Sequence, residues 1–197
     1  MEALFEDVYL FTKSDGTHSY LVETPQGGLL IDPPPAEASQ WEEIVALGGA
    51  RFLLITHRDD IEGADFFREK GVALVMHPAD AQSTALSVEL PVEGGEELLP
   101  DLFVLAMPGH TPGSIGVLFS KGAGALFVGD ALITTAKGRV ALPPAIYSDD
   151  LKQAERTAEA LLALAFDALC PAHGPVLLTG GHFALEQLVD ELGGQQP

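Results

Sequence analysis

Apolar and polar positions along this chain follow two rhythms, and the change between them marks out its elements. Val8, Leu10 and Thr12 alternate with Tyr9 and Phe11, the period-two pattern of a strand. A turn at Asp15-Gly16 leads to a second strand over 20–23. Gly27-Gly28 marks another turn, and Leu29-Leu30-Ile31 is a short apolar run ending at Asp32. Phe52-Leu53-Leu54-Ile55, ending at Thr56-His57, and Val72–Met76, ending at His77-Pro78, have the same character. Such unbroken runs fit strands buried on both faces. Elsewhere the spacing turns helical. Trp41, Ile44, Val45 and Leu47 predict a helix over 36–47 with Trp41 as a core anchor, stopped by Gly48-Gly49. Residues 61–70 predict another helix, closed by Gly71.

The second half repeats this order. A strand is predicted over 102–107, and 114–119 with 125–128 form a hairpin around Lys121-Gly122. Ser148-Asp149-Asp150 caps a helix over about 150–165 that carries Leu151, Ala154, Ala158 and Leu161 on one face. A short strand over 168–170 runs into Pro171-Ala172-His173-Gly174, and a last helix starts at Thr179 or Gly180. Each half thus holds a hairpin, a buried strand ending in Asp (Asp32, Asp130), a helix, and a strand ending near a His (His57, His173). Two such halves predict an α/β (α+β) fold in which two sheets pack face to face with helices outside. The strand ends then meet at one edge.

Length and composition narrow the picture. At 197 residues and 47% hydrophobic, without a long linker, the chain is expected to be a single globular domain over 1–197. Its 10 Lys+Arg against 29 Asp+Glu give a net charge of −19. That disfavours nucleic acid and anionic membrane surfaces as partners, because each phosphate contact calls for a Lys or Arg. One Cys forms no internal disulfide, and the N-terminus lacks the basic and apolar regions of a secretory signal. No apolar run is long enough for a membrane span. The expectation is a cytoplasmic protein acting on a small molecule, with a homodimer as the commonest oligomer.

The chemistry lies at the strand ends. His57, Asp59, Asp60 and Glu62 follow one buried strand, His110 follows a second, Asp130 ends a third and His173 a fourth. Imidazole and carboxylate together suit Zn²⁺, Fe²⁺ or Mn²⁺. A bound divalent ion acidifies its water, and two ions can share a carboxylate. Cys170 ends a buried strand and reads as a packed thiol.

These residues carry a resemblance. Ile31-Asp32, Thr56-His57, Gly109-His110-Thr111-Pro112-Gly113-Ser114, Val128-Gly129-Asp130 and His173-Gly174 stand in the order found in the metallo-β-lactamase superfamily. The chain resembles that family over about residues 17–175, and the G-H-T-P-G-S version is most similar to its glyoxalase II and persulfide dioxygenase branch. The resemblance implies a four-layer αββα sandwich of two mixed sheets. It makes Asp32 a support for the site's loops. It also implies a metal-dependent hydrolase of a small ester or thioester.

One segment departs from the family. Where the family has H-x-H-x-D-H, this chain has His57-Arg58-Asp59-Asp60-Ile61-Glu62. Position by position, the second His becomes Asp59, the Asp becomes Ile61, which cannot ligate, and the last His becomes Glu62. Asp60 sits one residue out of register. The first site keeps His57, Asp59, His110 and a bridging Asp130; the second keeps Glu62, Asp130 and His173. One divalent ion is expected, with a second left open, and Asp60 or Glu62 as general base. Two alternatives stand beside the hydrolase. One is a non-catalytic ligand-binding protein with a decayed site; the other is an Fe(II) oxygenase-like activity, since a His/His/Asp set with open positions suits iron. Arg58 is expected to neutralise the acidic cluster. Lys137, Arg139 and Tyr147 lie in a 131–149 loop expected to border the pocket.

Overall fold

The computed structural model describes residues 1–194. One sheet contains β1 (Glu2–Phe5), β2 (Val8–Thr12), β3 (His18–Val22), β4 (Gly28–Ile31), β5 (Ala50–Leu54), β6 (Ala73–Met76) and β7 (Leu90–Pro91), side by side in chain order. Its first four strands are antiparallel, and β4 to β7 are parallel. The chain continues with β8 (Glu97–Leu99), β9 (Leu102–Ala106), β10 (Ile115–Phe119), β11 (Ala125–Gly129), a ribbon of β12 (Ile133–Thr134) with β13 (Val140–Ala141), and β14 (Ala168–Pro171). The second sheet has the order β14-β11-β10-β9-β8, antiparallel except for the β11–β14 pair. The helices are α1 (Ala38–Ala46), α2 (Ala64–Glu69), α3 (Pro78–Ala81), α4 (Leu151–Leu161) and α5 (Gly181–Gly193).

The unbroken apolar runs have the expected cause. In β4, Leu29 and Ile31 face the second sheet while Leu30 faces a helix layer. In β11, Phe127 faces inward while Leu126 and Val128 meet α4 and α5. Leu54 and Leu53 divide in the same way. Three apolar layers result: one between the sheets and one under the helices on either side, which is the αββα sandwich. Each sheet is a meander extended beyond a helix by parallel pairing, three strands in the first sheet and one in the second, so the internal echo is structural. Tyr20 Oη donates to the Pro171 carbonyl at 2.6 Å and ties the sheets together near β14. Truncating a fully buried side chain here, such as Phe127 at 0% exposure, would cost about 3–5 kcal/mol.

The helices are shorter than their patterns predicted. The helix predicted over 61–70 begins only at Ala64, because Gly63 takes a left-handed conformation (φ +87°) that no helix can continue through. The 36–47 helix is Ala38–Ala46; Val45 is exposed, and Trp41 packs edge-on against Phe67 at the margin of the core. The 150–165 helix ends at Leu161, with Asp150 as its cap, accepting from the Gln153 N–H at 2.9 Å. The small strands β1, β7, β8, β12 and β13 and helix α3 were not anticipated. They are too short to show a period. Among the described residues, no helix is long and apolar enough to cross a membrane.

Candidate metal centre

Strand ends from both sheets converge at one edge. β5 delivers Thr56 and His57, β11 delivers Asp130, β14 delivers His173, and the loop after β9 carries His110. His57 and His110 pack edge to face with centroids 4.7 Å apart. One ligand atom each from His57, Asp59 and His110 lies within 4.8 Å of the others. Ligand bonds of about 2.0–2.2 Å span at most about 4.4 Å across a common ion, so small side-chain shifts would bring all three onto one ion.

Asp130 lies beneath the group and touches three imidazoles. Its Oδ2 is 3.5 Å from His57 Nε2 and 3.8 Å from His110 Nε2, and its Oδ1 is 3.5 Å from His173 Nε2. Burial pushes its carboxyl up, but His173, His57 and His110 outweigh that and hold it below the usual range. His173 is half-buried, and contact with Asp130 raises its pKa. His57 shows the opposite: burial dominates and keeps its imidazole neutral.

The orientation of His57 has a definite source. The Thr56 hydroxyl donates to Asp32, 2.9 Å from Oδ1 and 2.8 Å from Oδ2, and the Thr56 N–H donates to Oδ1 at 2.8 Å. The same hydroxyl oxygen lies 2.9 Å from His57 Nδ1. With its own proton committed to Asp32, Thr56 accepts from Nδ1–H, which leaves the Nε2 lone pair facing Asp130 and the cluster. Asp32 is the supporting residue the resemblance implied. Its backbone takes a left-handed conformation (φ +58°) that Asp tolerates better than most residues. Burial, followed by the charge of Asp60, pushes its carboxyl well up, against the pull of the Thr56 bonds.

A second clamp was not visible in the sequence. Asp80, at 0% exposure on α3, accepts from Thr111 Oγ1 at 2.5 Å, Gly113 N–H at 2.8 Å and Arg58 N–H at 2.9 Å. One carboxylate thereby fixes the loop of His57 to the loop of His110. The 148–150 segment closes over the second loop, with Asp149 N–H donating to the His110 carbonyl at 3.0 Å. Gly174 follows His173 at φ +91°, where a Cβ would collide with the Thr134 carbonyl oxygen, so the glycine lets the chain pass the ribbon.

The degenerate segment divides. Asp59 reaches His110, Oδ2 to Nε2 at 3.4 Å. Asp60 instead turns to Lys13, with Nζ to Oδ1 at 2.5 Å. Ile61 packs with the apolar cluster around Phe67. Glu62 is exposed, next to the left-handed turn at Gly63, and in no hydrogen bond or ion pair of the described residues. Arg58 spans Asp149 at 2.6 Å and Asp59 at 3.9 Å, the neutralising position expected of it. Lys13, Asp80 and Asp149 carry no motif of their own, and only the fold brings them here.

A cleft of about 640 Å³ opens above the group, walled by Ile133, Pro143, Pro144, Ile146 and Tyr147, with Asp59, His110, Asp130, Asp149 and His173 at its base. Of the 131–149 loop residues singled out from the sequence, Tyr147 lines it. Arg139 pairs with Glu191 outside it, and Lys137 is also outside.

The residues present fit a divalent cation. His110 is 6% exposed, and neither ring nitrogen has a hydrogen-bond partner; Asp130 Oδ1 is buried and unpartnered as well. Orphaned buried groups of this kind are costly unless a bound species satisfies them.

The profile described as "Metallo-beta-lactamase superfamily" matches residues 12–190. The Probable metallo-hydrolase YflN of Bacillus subtilis (strain 168) is 34% identical over 159 residues, covering 73% of this chain and 59% of that protein. This chain therefore spans about three fifths of the relative's length. Among solved structures, TTHA1623 in a di-iron-bound form is 26% identical with a TM-score of 0.68, covering 86% of this chain and 94% of that one. The metallo-beta-lactamase FIM-1 from Pseudomonas aeruginosa in the mono-zinc form is 20% identical with a TM-score of 0.71, covering 97% and 94%.

Proposed function

Since the chain belongs to the metallo-beta-lactamase superfamily, we propose that it is a metal-dependent hydrolase of small, uncharged esters or thioesters, working with one divalent ion. The observation that carries this reading is His110: a buried imidazole with both nitrogens unpartnered, set against Asp59 and Asp130. His57, Asp59 and His110 would hold the ion, with Asp130 behind them. Zn²⁺, Fe²⁺ and Mn²⁺ all suit two imidazoles and a carboxylate. When bound, the ion supplies Lewis acidity, polarising the carbonyl and acidifying water.

The remaining chemistry falls to the chain's own groups. Asp130 Oδ1, without a hydrogen-bond partner, accepts the proton of the attacking water. His173 lines the cleft beside it and stands where it can donate a proton to the departing alkoxide or thiolate. The apolar walls seat the acyl group. No Lys or Arg of the described residues lines the cleft to receive an anionic group of a substrate, and Arg58 is engaged by Asp149.

The test is hydrolysis of neutral phenyl esters and thioesters by protein loaded with Zn²⁺, Mn²⁺ or Fe²⁺. Activity abolished by chelation, restored by metal and lost in Asp130→Asn supports the reading. No hydrolysis of any of them in fully loaded protein contradicts it.

A further inference from the structure

The chain places a cation of its own beside the metal centre. The Lys13 ammonium sits 2.5 Å from Asp60 Oδ1, and both side chains are largely buried, at 16% and 18% exposure. Lys13 stands in the turn between β2 and β3, closed by Thr17 N–H to Asp15 Oδ1 at 2.9 Å. That turn is docked on the strand that delivers His173: His18 N–H donates to the Ala172 carbonyl at 2.8 Å. Lys13 is therefore held at the metal edge by the backbone.

The acids around it are arranged for a cation. Asp60 Oδ2 and Asp130 Oδ1 are both buried without a hydrogen-bond partner, and His173 Nε2 lies 3.5 Å from the latter. Asp60 is close enough to bear electrostatically on Asp32, His57 and His173. Ile61, meanwhile, is committed to the apolar cluster and cannot turn back. The unpartnered carboxylate oxygens of Asp60 and Asp130 leave buried negative charge on this side, and the fixed Lys13 ammonium offsets it at Asp60.

We propose that the Lys13 ammonium is a built-in counter-cation that holds Asp60 out of coordination and limits the centre to one divalent ion. The inference rests on the reading of this edge as a metal centre. Lys13 is a positioning residue, acting through Asp60.

Metal-free chain is titrated with Zn²⁺ and with Mn²⁺, and stoichiometry is read by calorimetry and elemental analysis. The wild type is expected to take one ion. Lys13→Met and Lys13→Gln should take a second, weaker ion, while Lys13→Arg, which keeps the charge, should stay at one. Asp60→Asn should bind the first ion as tightly as wild type, within about twofold. This arm stands even if the Lys13 variants fail to fold. One ion in folded Lys13→Met or a tenfold weaker first ion in Asp60→Asn would each overturn the inference and leave the hydrolase reading intact; two ions in the wild type would overturn the inference and the single-ion part of that reading, leaving metal-dependent hydrolysis standing. No ion in the wild type would remove both.

Discussion

Asp32 reaches His57 through a single hydroxyl: Thr56 Oγ1 lies 2.8 Å from Asp32 Oδ2 and 2.9 Å from His57 Nδ1. A buried acid on one strand end thus sets the tautomer of a candidate ligand on the next. Thr56→Val keeps the shape and removes the hydroxyl. It should weaken metal binding about 10- to 100-fold, and, with Asp32 left under-satisfied, destabilise the fold by about 1–3 kcal/mol. Thr56→Ser should restore most of both. Metal titration and denaturant unfolding of the three proteins check this.

Asp80 joins the two ligand-bearing loops with one carboxylate. Asp80→Ala leaves three donors unsatisfied and should cost about 3 kcal/mol or more. Asp80→Asn keeps acceptor capacity and should cost less. Because the loops lose their common anchor, Asp80→Ala should also weaken metal binding in protein that is still folded. Chemical denaturation followed by metal titration at low denaturant separates the two effects.

The imidazoles should titrate on opposite sides of the ordinary histidine value of about 6.5. In the metal-free protein His173 titrates above it, because of Asp130, and His57 below it, because of burial. The His173 contribution is fully present below the unfolded pKa and is lost as pH rises through its raised folded pKa. The His57 contribution runs the other way, since a neutral buried ring must charge as pH falls. Ring-proton NMR titration, assigned with His173→Gln and His57→Gln, tests the order.

The cleft should discriminate by charge. Asp59, Asp130 and Asp149 face it, and Arg58 is engaged by Asp149 at 2.6 Å. Matched ester pairs that differ only by a carboxylate should show kcat/KM lower by about tenfold for the anionic member. Added salt should narrow the gap. Equal rates for both members would place substrate charge outside the cleft.

Much of this fold was legible in the sequence, and particular residues show where legibility ended. Leu29 to Ile31 and Phe127 read as strands because layers on both faces leave no polar position. Asp130 and His110 were legible because they follow such strands within short glycine-containing motifs. Spacing carries no information on the left-handed turn at Gly63 or on the exposure of Glu62 beside it. The pairing of Asp60 is not legible because its partner, Lys13, stands 47 positions away. Asp80, 31 positions from Thr111, was missed for the same reason. Long-range polar pairing has no periodic signature, whereas burial does.

The central claim is that these strand ends form a centre for one divalent ion, and metal content tests it most directly. Protein purified without chelator should carry one divalent ion per chain. Its thermal midpoint should rise by about 5–10 °C at metal concentrations near 100 times the dissociation constant. His110→Ala should lose both the ion and the shift while remaining folded. Wild-type protein that carries no ion, with an unchanged midpoint on adding Zn²⁺, Mn²⁺ or Fe²⁺, would contradict the account.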